Sequence, residues 1–132
     1  MPAAASAQTI VVLVVEDDKQ AREMFRTVLR TEGYTVVSVG DGLDALKYLA
    51  VQTPAAVVLD LGLPRIHGGD VLREMAAMEL THEVPVIVVT GEQQPLLNEL
   101  DFACVLRKPI GPDELIAAVR GCIARPRRRF KE

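Results

Sequence analysis

At 132 residues and 49% hydrophobic, the chain has the length of one domain and enough apolar material for a real core, which argues against a disordered chain. Its 15 basic and 18 acidic residues leave a net charge of −3, a balance that argues against nucleic-acid binding by the domain as a whole. No apolar run approaches the roughly 18 residues needed to cross a bilayer, and residues 1–8 lack the basic start and apolar stretch of an export signal, so a cytoplasmic protein without membrane contact is expected.

The first expected element is a buried strand over residues 10–15, a fully apolar run that ends in Glu16, Asp17 and Asp18. Asp18 is placed to cap a helix. Ala21, Met24, Phe25, Val28 and Leu29 follow at helical spacing, and Gly33 suits the position just past the helix end. Residues 34–39 read as a short β-branched strand, Asp41-Gly42 as a turn, and Leu43, Leu46 and Leu49 as the apolar face of a second helix. Next comes a continuous apolar run, bounded by Pro54 and Pro64 and ending in Asp60, which reads as a strand buried on both faces. A carboxylate buried there is costly unless something charged meets it.

Residues 65–69 read as a loop, and Val71, Leu72, Met75 and Met78 as a third helical stripe whose methionines belong to the core. Pro85 precedes a strand over 86–89, which ends at Thr90 and Gly91. Residues 91–101, interrupted by Pro95, allow only a short helix through Leu96, Leu97 and Leu100. A fifth strand over 103–106 leads into Arg107, Lys108 and Pro109. Pro112 opens the last helix, with Leu115, Ile116, Val119 and Ile123 as its face. Cys104 and Cys122 have neither metal-ligand spacing nor a paired framework, so they read as reduced small hydrophobes.

Strands alternating with helices imply an α/β fold, a doubly wound five-stranded parallel sheet with helices on both faces. Ligands in such sheets sit beyond the carboxyl ends of the strands. The residues at those ends include Glu16, Asp17, Asp60, Thr90 and Lys108. Any one of them is explained as a polar strand end, but together they make a site of three carboxylates, a hydroxyl and an ammonium. Crowded carboxylates repel one another and call for a cation. Oxygen ligands in a site open to solvent favour Mg²⁺, which keeps waters and bridges to phosphate, and no His or Cys cluster suggests zinc. An aspartate can act as a nucleophile and form an aspartyl phosphate, with the lysine and hydroxyl binding the phosphoryl oxygens.

Val14-Val15-Glu16-Asp17-Asp18, Leu59-Asp60-Leu61-Gly62-Leu63-Pro64, Val88-Val89-Thr90-Gly91 and Arg107-Lys108-Pro109 together resemble the receiver domain of bacterial two-component response regulators. The resemblance covers residues 10–124, leaving 1–9 as an N-terminal extension and 125–132 as a basic tail. It implies a flavodoxin-like sheet of strand order 2-1-3-4-5. It also implies a signalling protein rather than an enzyme, with Asp60 taking a phosphoryl group from a histidine kinase or a histidine phosphotransfer protein. Asp17 would hold Mg²⁺ directly, Glu16 through water, and Gly62 through its backbone carbonyl. Thr90 and Lys108 would contact the phosphoryl group, and the Lys108-Pro109 bond would be cis. Output would pass to a downstream protein that the sequence does not name, with no direct nucleic-acid binding, since no stretch after the receiver is long enough for an output domain.

The chain also departs from the family's pattern. Val105 stands where the family often has an aromatic residue that rotates on activation, and the stretch from Thr90 to Lys108 is a few residues shorter. His67 stands where an aspartate is common; the plain reading is a solvated loop residue, the sharper one a metal ligand or pH sensor. The tail from Arg125 to Glu132 reads either as a cationic end favoured by the last helix's dipole or as a docking patch for an acidic partner. Two alternatives stay open. The chain is a receiver cut from a hybrid histidine kinase, or a small Mg²⁺-dependent phosphatase, a class that places a second acid two residues after the nucleophile, where this chain has Gly62.

Overall fold

The computed structural model describes residues 9–91 and 104–124. Strands β1 (Val11–Val15), β2 (Thr35–Val39), β3 (Ala56–Asp60), β4 (Val86–Thr90) and β5 (Cys104–Arg107) form one sheet in the order β2-β1-β3-β4-β5. All pairings are parallel, as the sequence implies. Among the described residues there are four helices: α1 (Lys19–Thr31), α2 (Gly42–Leu49), α3 (Gly68–Ala77) and α4 (Pro112–Ala124). The short helix expected within residues 91–101, residues 1–8 of the N-terminal extension and the basic tail lie outside the described residues.

Side chains alternate across each strand, so the sheet builds two cores. On one face Leu13, Val15, Val57, Leu59 and Val88 pack against Ala45 and Leu49 of α2 and Val71, Leu72 and Met75 of α3. On the other, Val12, Val14, Val58, Ile87 and Val89 pack against Phe25 and Leu29 of α1 and Leu115 and Val119 of α4. A fully buried side chain of this size contributes about 1.5–3 kcal/mol through its removal from water, which holds the central strands in place and aligns their ends.

The helix signals hold in outline and shift in detail. Asp18 accepts a hydrogen bond from the Ala21 N–H at 2.8 Å and so caps α1, and Gly33 takes the left-handed φ of 101° just beyond its end. On α4 the apolar face runs through Leu115, Ala118, Val119, Cys122 and Ile123, while Ile116 is only half-buried and lies outside the core. The α3 helix starts at Gly68, inside the stretch the sequence reads as loop. His67 caps it: Nδ1 accepts the Gly69 N–H at 2.9 Å. The Gly68 N–H donates to Leu61 O at 3.0 Å, and a Cβ at Gly68 would fall 2.4 Å from Asp60 O. The chain therefore folds back over the end of β3 only because residue 68 has no side chain.

Cys104 and Cys122, without pairing in the sequence, meet across β5 and α4 as free thiols. Burial, then the facing Cys122, push the Cys104 thiol up to about 11.

Candidate functional site

The strand ends lie level in the sheet. Val15 is in register with Leu59, Asp60 with Val89, and Thr90 with Arg107. Residues one step beyond or at these ends therefore converge on the same edge. Glu16 is fully buried, Asp60 is 6% exposed and Thr90 is fully buried, whereas Asp17 is exposed. Of the acidic triplet after β1, Asp18 is committed to capping α1, which leaves Glu16 and Asp17 for the site.

Local hydrogen bonds set each group. The Glu16 N–H donates to Val39 O at 3.1 Å, and the Lys108 N–H to Thr90 O at 3.0 Å. Glu16 Oε2 accepts the Asp18 N–H at 3.0 Å, and Asp60 Oδ1 accepts the Gly62 N–H at 3.0 Å. Lys108 Nζ sits between the two buried carboxylates, 3.5 Å from Asp60 Oδ2 and 3.1 Å from Glu16 Oε1. Its hydrogen-bond geometry toward Glu16 favours Oε2, at 3.4 Å. Oε1 is thus paired by charge but accepts no hydrogen bond among the described residues.

The electrostatics are unbalanced. Burial raises the Glu16 pKa, the Asp18 N–H lowers it, the nearby Asp60 charge raises it again, and Lys108 lowers it; the net direction is up. Burial works against the Lys108 charge, but Glu16 and Asp60 outweigh it and raise its pKa. One ammonium therefore stays protonated while serving two carboxylates. Counting Asp17, three carboxylates face one ammonium, an excess of two negative charges.

That excess bears on whether a divalent cation fits. One carboxylate oxygen from each of Glu16, Asp17 and Asp60 lies within 4.8 Å of the others. The set is all oxygen, and one buried oxygen lacks a hydrogen-bond donor, a condition that water or a cation relieves. These residues fit Mg²⁺. Gly62 reaches the site through its N–H on Asp60 Oδ1.

The remaining expectations fall as follows. The Lys108–Pro109 bond is cis. Val105 is half-buried and packs against the core on the α2 and α3 side of the sheet. His67 is exposed and its Nδ1 is used by the α3 cap. The sequence reading missed Arg22, whose Nη1 donates to Glu16 O at 3.0 Å. Its only signal there is a basic residue one turn into the helix that follows the acids. Among the described residues no helix is long and apolar enough to cross a membrane.

A family model described as the response regulator receiver domain matches residues 12–120. The response regulator MprA of Mycobacterium ulcerans is 35% identical over 118 residues, covering 86% of this chain and 50% of that protein. The DNA-binding response regulator MtrA of Mycolicibacterium paratuberculosis is 36% identical over 118 residues, covering 86% of this chain and 51% of that protein. The chain thus spans about half the length of the curated relatives it matches. Among solved structures, the receiver domain of the sensor histidine kinase PA1611 from Pseudomonas aeruginosa PAO1, with a magnesium ion coordinated in its active site cleft, aligns with a TM-score of 0.82 and 28% identity, covering 89% of this chain and 99% of that one.

Proposed function

The chain belongs to the response regulator receiver domain family, and from that premise we propose that Asp60 accepts a phosphoryl group from a phosphohistidine, with Mg²⁺ held by Glu16, Asp17, Asp60 and the Gly62 carbonyl. The donor is a histidine kinase or a histidine phosphotransfer protein. The receiver spans residues 10–124 and acts by contact with a downstream protein. The likeness extends both to response regulators and to the receiver of a sensor kinase, and the proposal concerns the chemistry common to both.

One observation carries the reading: Asp60 is a nearly buried carboxylate with Lys108 Nζ 3.5 Å from its Oδ2 and two further acids beside it. Oδ1 is engaged by the Gly62 N–H, which leaves Oδ2 to attack phosphorus. The new O–P bond forms as the P–N bond of the phosphohistidine breaks, and its electron pair leaves with the imidazole. Lys108, kept charged by its carboxylate neighbours, offsets the charge on the phosphoryl oxygens. Thr90, at the end of β4, supplies a hydroxyl for the same group. Mg²⁺ held by these acids would supply positive charge to offset that of the phosphoryl oxygens. Glu16 Oε1, 3.1 Å from Lys108 Nζ, helps to hold the ammonium at the strand ends. A phosphatase reading loses support at Gly62, whose backbone N–H serves Asp60 where that class needs a second acid.

Incubation with acetyl phosphate and Mg²⁺, followed by intact mass measurement, should add one phosphoryl group to the wild type and none to Asp60→Asn. Mass gain retained in Asp60→Asn refutes the assignment.

A further inference from the structure

Arg22 lies one turn inside α1, and its backbone N–H donates to Asp18 O at 2.9 Å. Its side chain turns back toward the edge of the sheet. There Nη1 donates to Glu16 O at 3.0 Å and reaches Asp17 O at 3.4 Å. Gly40, just past β2, leaves the space it occupies, since a Cβ there would come within 3.2 Å of Nη1. A charged donor on two consecutive carbonyls resists rotation of the peptide planes that follow Glu16 and Asp17. With the Glu16 N–H tied to Val39 O at 3.1 Å, the acid pair is held from two sides.

We infer that Arg22 is a positioning residue for the divalent cation: it fixes the peptide planes from which Glu16 and Asp17 present their carboxylates beside Asp60, without touching cation or phosphoryl group. The inference rests on the Mg²⁺ reading given above. Two physical effects of Arg22 have opposite signs. As a bare charge, the guanidinium repels a nearby cation, so its removal would tighten Mg²⁺ binding. As a positioning group, its removal loosens the ligands and weakens binding. Partners that orient metal ligands are worth about 10-fold or more in metal affinity, so the second effect should win.

Titration calorimetry with Mg²⁺ on the whole chain decides between them. Arg22→Met should bind about 10-fold more weakly than wild type, while Arg22→Lys, which keeps a charged donor, should recover most of the affinity. Gly40→Val, whose Cβ would crowd the guanidinium at 3.2 Å, should weaken binding in the wild-type background and add nothing in Arg22→Met. The rise in melting temperature on going from EDTA to Mg²⁺ should shrink in step. Unchanged or tighter Mg²⁺ binding in Arg22→Met overturns the inference. So does a melting temperature lowered equally with and without Mg²⁺ at unchanged affinity, which marks a purely structural role. If Arg22→Met does not fold, Gly40→Val carries the same test. Absence of Mg²⁺ binding by the wild type overturns the cation reading itself, a result distinct from wild-type binding that Arg22 does not affect.

Discussion

Burial denies Glu16 the water over which a carboxylate spreads its charge, and the shared Lys108 does not restore the balance. Its folded pKa lies above the ordinary 4.5, so the folded state holds this proton more tightly than the unfolded chain does. In the metal-free protein the Glu16 contribution is therefore most favourable below the unfolded value, and it becomes a cost as pH rises through the folded pKa. Lys108, raised above 10.5, stays charged through that whole range, and its own stabilisation fades only as pH rises through its folded pKa. Glu16→Gln keeps the shape and removes the titration. In EDTA it should raise stability near neutral pH more than near pH 4.5, read as the shift in urea midpoint between the two proteins. An equal difference at both pH values would contradict the burial argument.

At the scale of elements, α3 depends on two residues that the hydrophobic pattern passes over. His67 satisfies an N–H of the first turn, and Gly68 permits the close approach to Asp60 O. A cap replaced by alanine costs about 1 kcal/mol. His67→Ala should lower unfolding free energy by that amount, while His67→Asn, whose side-chain oxygen can take over, should retain most of it. Because His67 is exposed and outside both cores, a loss well above a helix cap's worth would mean that it does something else in the loop after Asp60. The Cys104 and Cys122 thiols illustrate a related point: β5 and α4 bring together groups that lie 18 residues apart in the chain.

For the molecule as a whole, the excess of negative charge at one edge of the sheet means that a cation bound there would stabilise the folded state. A ligand that binds only the folded state stabilises by about 2.7 kcal/mol at a hundredfold excess over its Kd. Mg²⁺ should therefore raise the unfolding free energy by that amount, and Asp17→Asn should lose most of the gain. Asp17 is exposed and outside both cores, which makes it a clean probe of the site rather than of packing. Chemical denaturation with and without Mg²⁺ checks this, and a stability indifferent to Mg²⁺ in the wild type would refute the cation reading.

The sequence by itself determined what repeats locally. Runs such as 11–15 and 56–59 are apolar on both faces, so they had to be interior strands with helices on either side. Glu16, Asp60 and Thr90 stood out because each breaks such a run, and Lys108 because it follows closely on the fifth. What only the tertiary structure decided is what these residues meet. Lys108 reaches Glu16 across 92 positions and Asp60 across 48, a convergence set by the parallel register and not by any local period. The start of α3 at Gly68, the exclusion of Ile116 from the core and the hold of Arg22 on the acid carbonyls belong to the same class. The first and last depend on backbone from another element arriving within a few ångströms, and hydrophobic periodicity records which face is apolar, not which neighbour will cover it.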